Sequence, residues 1–180
     1  MLLRHADLPA ALRRARSGSP TAPSSWLGVA PAGTHQLHRV QSLPDAVEPL
    51  ACGRELLAWG LHRRAGLRVL AEADAAAGVT VVLQAGVGRV AVLAPCRVTE
   101  VFVTADRCGF GYATLPGHPE QGVERFEVVR DAAGVRFDVR AVSRPASWAS
   151  RLAPFAARHA QDLVTRRYLR AALAIAEAQR

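Results

Sequence analysis

Val135-Arg136-Phe137-Asp138-Val139-Arg140-Ala141-Val142 alternates apolar with charged side chains almost to its end. Successive side chains of a strand point to opposite faces, so Val135, Phe137, Val139 and Ala141 line a dry face and Arg136, Asp138 and Arg140 a wet one. That pattern belongs to an antiparallel strand with one side on a core and the other in water. Asp131-Ala132-Ala133-Gly134 just before it supplies a hairpin turn. Moving toward the N-terminus, strand-like runs recur at Leu67–Ala73, Val79–Gln84, Arg89–Leu93, Arg97–Thr104, Phe110–Leu115 and Glu124–Arg130, joined by short turn sequences. Short connections between such runs imply antiparallel hairpins, hence a meander.

Helical spacing flanks the meander. His35–Ser42 reads as a first strand, and Pro44 then opens a helical stretch to Arg64, split near Pro49. Gly66 stands where a helix C-cap belongs, with Arg63 and Arg64 in the last turn. Beyond Pro154 one long helix carries Ala160, Leu163, Val164, Tyr168, Ala171, Ala172 and Ile175 on a stripe. The order is strand, helices, antiparallel meander, C-terminal helix. It predicts an α+β fold in which a curved antiparallel sheet of about seven strands packs on the last helix, with a cavity between them.

With 180 residues and 50% hydrophobic content, the chain can bury one sizeable core. Residues 17–34, rich in Ser, Pro, Gly and Ala, read as a linker. We therefore expect a flexible basic arm over residues 1–25, containing a short helix within Leu2–Arg16, and a single domain over 26–180. Every apolar run is interrupted by Arg, Asp or Glu, which excludes a membrane-spanning helix, and the N-terminus lacks the pattern of a secretory signal. A cytoplasmic location is expected, with Cys52, Cys96 and Cys108 as buried thiols rather than a disulfide framework. The net charge of +8 comes from arginine alone, scattered along the chain. Scatter argues against nucleic acid, which calls for a clustered basic face with interleaved aromatics.

The densest chemistry lies in Cys108-Gly109-Phe110-Gly111-Tyr112-Ala113-Thr114-Leu115-Pro116-Gly117-His118-Pro119-Glu120-Gln121-Gly122-Val123-Glu124-Arg125-Phe126. Alternation puts Phe110, Tyr112 and Thr114 on one face, while Gly109, Gly111 and Ala113 leave the other nearly bare, open to a helix, a strand or a ligand. Pro116, Gly117, Pro119 and Gly122 mark a strand-end loop, which places His118 at the rim of the sheet. His118, Glu120 and Glu124 are the candidate catalytic residues: a base, its orienting carboxylate, and a second carboxyl. A rigid turn whose polar residues cap backbone groups explains the same residues. Tyr112, Thr114, His118 and Arg144 are the candidate ligand-binding residues. His118-Pro119-Glu120 resembles half of a zinc-deaminase signature, but no Cys-x-x-Cys follows, so no metal is assigned. No phosphate-cradling loop or nucleophile elbow is present, and no cofactor is expected. Trp59 with His62, and Trp148, read as core anchors.

The Cys108–Phe126 run, with Pro95-Cys96-Arg97-Val98 before it and Ala141-Val142-Ser143-Arg144-Pro145-Ala146 after it, resembles the DUF1990 family, uncharacterised in bacteria and plants. Leu57-Ala58-Trp59, Gln161 and Tyr168 extend the likeness over roughly Trp26–Leu173. Two departures stand out: Val123 occupies the place of a usual first glutamate before Glu124, and Gly111 and Ala113 are exchanged. The resemblance implies a helix-grip layout enclosing small apolar or amphipathic ligands, and it supplies no reaction. Three functions follow as alternatives: a binder of a small hydrophobic or amphipathic molecule between sheet and last helix, an enzyme using His118 with Glu120 or Glu124, and a binding module for an acidic partner or membrane surface.

Overall fold

The computed structural model describes residues 7–87, 90–146 and 154–179. One sheet holds β1 (His35–Ser42), β2 (Arg68–Ala71), β3 (Thr80–Val87), β4 (Val90–Thr104), β5 (Arg107–Thr114), β6 (Glu120–Asp131) and β7 (Gly134–Pro145). All its pairings are antiparallel, in the order β1-β7-β6-β5-β4-β3-β2. The meander thus runs from β2 to β7, and β1 returns to pair with the last strand. Helices α2 (Pro49–Leu57), α3 (Gly60–Arg64) and α4 (Pro154–Glu177) cover the inner face. The expected α+β layout, a curved antiparallel sheet gripping a long C-terminal helix, is the one observed. No described helix is long and apolar enough to cross a membrane.

Two runs expected as separate strands, Arg89–Leu93 and Arg97–Thr104, merge into the 15-residue β4, which bends at a register shift between Val98 and Glu100. Pro95 does not break it. Its carbonyl accepts from Leu115 N just past the end of β5, where the ladder has run out and no proline N–H is required. The helical stretch divides at Trp59 rather than Pro49, which instead occupies the first turn of α2, where a missing N–H is harmless. Trp59 takes a left-handed φ of 63°, a costly conformation for a bulky residue. Its indole Nε1 donates to Ala73 O at 2.9 Å and helps hold it there.

The main core lies between the inner sheet face and these helices: Phe110, Phe126, Phe137 and Val139 from the sheet meet Leu56, Trp59, Leu61, Tyr168, Ala172 and Ile175. Gly53 lets α2 lie directly on β5, since a Cβ there would sit 2.1 Å from Cys108 Sγ. Among the α4 residues whose side chains are described, the buried ones are Thr165, Tyr168, Ala171, Ala172, Ile175 and Ala176. Leu163, expected on that stripe, is instead 50% exposed. A 3.6-residue period fixes a stripe's width poorly at its edge, and Leu163 falls beyond that edge. Trp148 and Arg89 lie outside the described residues, as does the side chain of Ala160.

The outer face is not bare. In place of a free arm, α1 (Leu8–Arg16) sits on the outer side of the sheet, with Leu8, Ala11, Leu12 and Ala15 against Val82 and Leu115. Asp7 caps its start by accepting from Ala10 N at 3.0 Å, and Arg97 donates to Arg16 O at 2.8 Å at its end. Farther on, Ala22 packs with Ala113, Val123 and Val142. The smallness of Gly111 and Ala113 is explained by these neighbours. A Cβ at Gly111 would lie 2.7 Å from a Glu100 carboxylate oxygen, and Ala113 is the floor beneath Ala22. Several outer arginines are discharged by ion pairs, Arg125–Glu100 at 2.7 Å and Arg140–Asp138 at 3.1 Å among them.

Candidate functional site

Antiparallel register sets Tyr112 of β5 opposite Glu124 of β6, and Phe110 opposite Phe126. Since Phe110 and Phe126 face the core, so do Tyr112 and Glu124, two residues along. Tyr112 OH donates to Glu124 Oε2 at 2.8 Å. Helix α4 lays Tyr168 over the same place, its ring 5.1 Å from Phe126 in an edge contact. From β4, Cys96 completes a group of ionisable residues sharing one apolar interior.

Burial dominates their chemistry. It pushes the Glu124 carboxyl from the usual 4.5 up to about 7; the Tyr112 hydrogen bond opposes the rise and the Glu120 charge adds to it. Burial also holds Tyr112 and Tyr168 well above the ordinary phenol value, with the Glu124 charge reinforcing both. The Cys96 thiol moves the same way for the same two reasons. No described arginine of β6 or β7 faces Glu124: Arg125, Arg136, Arg140 and Arg144 fall on the outward alternation of these strands, and Arg130 is engaged with Val47 O and Glu48 at the far end. Glu124 is only half-buried, so solvent reaches it.

His62 of α3 is fully buried beside this pair, with ring centroids 5.1 Å from Tyr168 and 6.1 Å from Tyr112. Neither ring nitrogen has a hydrogen-bond partner. Burial, aided by the neighbouring Arg63 charge, pushes the imidazole down to about 3, which keeps it neutral. A neutral imidazole with an unused donor and an unused acceptor, enclosed by Trp59, Phe110, Phe126 and Tyr168, is a polar group for which the sequence offered only the helical spacing to Trp59.

The remaining sequence candidates separate. Glu120 lies on the Glu124 face and its Oε2 accepts from Ser143 Oγ. His118 does not orient toward a carboxylate: its Nδ1 lies 2.9 Å from Glu120 N and 2.8 Å from Glu120 O, and it braces the β5–β6 turn. Burial pushes this imidazole down to about 4, against the hydrogen bond to Glu120, which raises it. Thr114 Oγ1 accepts from Gly122 N at 2.9 Å and meets the Thr21 hydroxyl at 2.6 Å, clasping the N-terminal segment. Arg144 is on the opposite side of the sheet. Its Nε donates to Gln121 Oε1 at 2.9 Å, its guanidinium lies 5.4 Å from the Trp26 ring, and it lines an open groove of about 630 Å³ with Thr21, Gly33 and Gln121. The four ligand-binding candidates therefore do not form one site. Residue parity along β7 sends Arg144 outward while Ala141 and Ser143 face inward. Val123 also faces outward, under Ala22, so its replacement of a glutamate leaves the Tyr112–Glu124 face untouched.

DUF1990, described as a domain of unknown function, matches residues 21–171. The chain belongs to this family. Over 75 residues, 41% of its length, this DUF1990 chain is 47% identical to a UPF0548 protein of Deinococcus radiodurans. That match spans 38% of the relative's length. Among solved structures, a hypothetical protein, jhp0584, of Helicobacter pylori superposes with a TM-score of 0.60 at 7% identity, covering 88% of the DUF1990 chain and 96% of its own. The di-domain ARO/CYC StfQ from the steffimycin biosynthetic pathway gives 0.59 at 13% identity, covering 81% and 51%. Ara h 8.0201 gives 0.50 at 10% identity, covering 79% and 99%. At such identities the likeness is one of fold.

Proposed function

We propose that this DUF1990 domain binds a small amphipathic molecule between its sheet and α4, with the Tyr112–Glu124 pair as the polar anchor. The observation that carries the proposal is a solvent-reachable carboxyl hydrogen-bonded to a buried tyrosine in an interior otherwise lined by aromatic rings. Ligand sites combine apolar walls with a few placed polar groups in this way. Membership of StfQ, a protein of the same layout, in a biosynthetic pathway gives the proposal fold-level support. Native mass spectrometry of the chain purified from its own host tests it. A retained small molecule that is lost in Glu124→Ala supports the proposal. Apo protein throughout, together with no saturable binding of a fluorescent amphiphile, refutes it.

A second reading, acid–base catalysis, draws on the same pair, because a carboxyl titrating near neutral pH beside a phenol suits proton transfer. In that reading Glu124 is the acid–base group, and His118, occupied with the Glu120 backbone, supports the turn.

A further inference from the structure

We propose that the inner site selects amphiphiles carrying a positive charge, such as an alkyl amine, with Glu124 as the counter-charge and the Tyr112, Tyr168 and Phe126 rings as the wall. This inference rests on the binding site proposed above and names the chemistry of its ligand. Charge placement comes first. The inward side of β6 carries Glu120 and Glu124, whose side-chain partners among the described residues are the neutral hydroxyls of Ser143 and Tyr112. Arginines on the same two strands point outward or are engaged at the far end of β6. Carboxylates partly withdrawn from water are normally paired with a cation of the protein, and among the described residues none is supplied here. Aromatic faces next to a carboxylate are the usual surroundings of a bound ammonium.

His62 is the second, independent observation. It is fully buried against Tyr112 and Tyr168, and neither of its nitrogens has a partner. An orphaned buried polar group calls for a partner that the protein itself does not provide. Among the described residues, the groups facing Glu124 are Tyr112 of β5, Cys96 of β4, Tyr168 of α4 and Glu120 of its own strand. None becomes positive in the accessible range, and neutral His62 accepts from an ammonium N–H as readily as from water. Ionisation of Glu124 near neutral pH then makes cation selection pH-dependent.

The test uses the intact chain and two probes sharing one fluorophore, dansylcadaverine (cationic) and dansylamino-undecanoate (anionic), with an uncharged dansyl alkylamide as reference. Above the Glu124 titration the cationic probe binds at least about tenfold tighter than the anionic one, the factor expected for a hydrogen bond to a charged partner. Below it the preference shrinks. Glu124→Gln removes the preference while leaving the uncharged probe bound. Tyr112→Phe, a second variant with its ring intact, keeps the preference and moves its pH midpoint. Equal binding of both charged probes at all pH values overturns the inference and leaves the binding-site proposal standing. Binding of no probe at all overturns both.

Discussion

Glu124→Gln isolates the energetic consequence of placing a carboxyl in this interior. Burial raises its titration from 4.5 in the unfolded chain to about 7 in the folded one. The folded state prefers the protonated acid, so the stability linked to this group is complete below the unfolded value and is lost as pH rises through the folded one. Each pH unit of that window is worth about 1.36 kcal/mol, which sets a ceiling of about 3 kcal/mol. Partial solvent contact lowers the expectation to about 2 kcal/mol. Glutamine keeps the shape and an acceptor for Tyr112 OH but cannot ionise. The variant should therefore match the wild type near about pH 4 and exceed it by about 2 kcal/mol near about pH 8, with the gap opening between these limits. Urea denaturation midpoints of both proteins across that range provide the measurement, with comparable slopes required. His62 and His118, lowered to about 3 and about 4, lose stability in the opposite sense as pH falls below 6.5, but they are common to both proteins and cancel in the difference. A variant no more stable than wild type at alkaline pH would show that Glu124 is well solvated, and the anchor proposed for the ligand would lose its basis.

His62→Phe replaces two unpartnered nitrogens by a ring in an aromatic cage, so stability should hold or rise at neutral pH and rise further in acid; a loss above about 2 kcal/mol would mean that the imidazole holds a partner and is no bystander. His118→Ala should cost about 1–2 kcal/mol by leaving Glu120 N without its acceptor, read from the same denaturation midpoints, and a neutral result would return His118 to the list of free site residues. Leu163→Asp should change stability by less than about 0.5 kcal/mol, whereas Ile175→Asp on the buried stripe should unfold the protein, a contrast visible by circular dichroism. Leu12→Asp should release α1 and cost about 2–3 kcal/mol, because each buried leucine there contributes about that much; protease resistance of the N-terminal segment equal to wild type would refute the packing.

The strands were legible because period two survives in a half-buried sheet: Val135 to Ala141 alternates so strictly that both faces could be assigned from residue type. The glycine-rich side of β5 could also be seen to await a neighbour. What covers it could not, since Ala22, which packs on Ala113, lies within a Ser/Pro-rich stretch that carries no periodicity, and neither could the seat of Leu8 and Leu12 beside it on Val82 and Leu115. Long-range packing of a short amphipathic helix leaves only a few apolar residues as its trace, and these look the same on a free arm. The break at Trp59 was invisible for a different reason, because a left-handed tryptophan contradicts local preference and is held by a tertiary hydrogen bond. For the site, Tyr112 and Glu124 were named from their motif. Their pairing across β5 and β6 depends on the turn length between them, and the same register that joins them leaves His118 in the turn and Arg144 outside.

Features that cost stability gather on one side of the sheet. Glu124 is a carboxyl whose ionisation the fold opposes, His62 brings two unsatisfied nitrogens into the core, and Trp59 holds an unfavourable φ one turn before His62. The outer face is better satisfied, although Arg97 Nε lies buried there without a partner: several of its arginines are ion-paired, its small residues are covered, and α1 is capped at both ends. A protein selected for stability alone would have no need of an ionisable carboxyl at Glu124 or of unpartnered nitrogens at His62. Local departures from the rules of packing are expected where a ligand completes the structure, because the partner supplies in the bound state what the chain lacks in the free one. A cation seated at Glu124 would lower the titration of that carboxyl and recover part of the stability that burial removes. The thermal midpoint at alkaline pH should then rise with the concentration of a bound amine, as mass action requires, and the rise should vanish in Glu124→Gln.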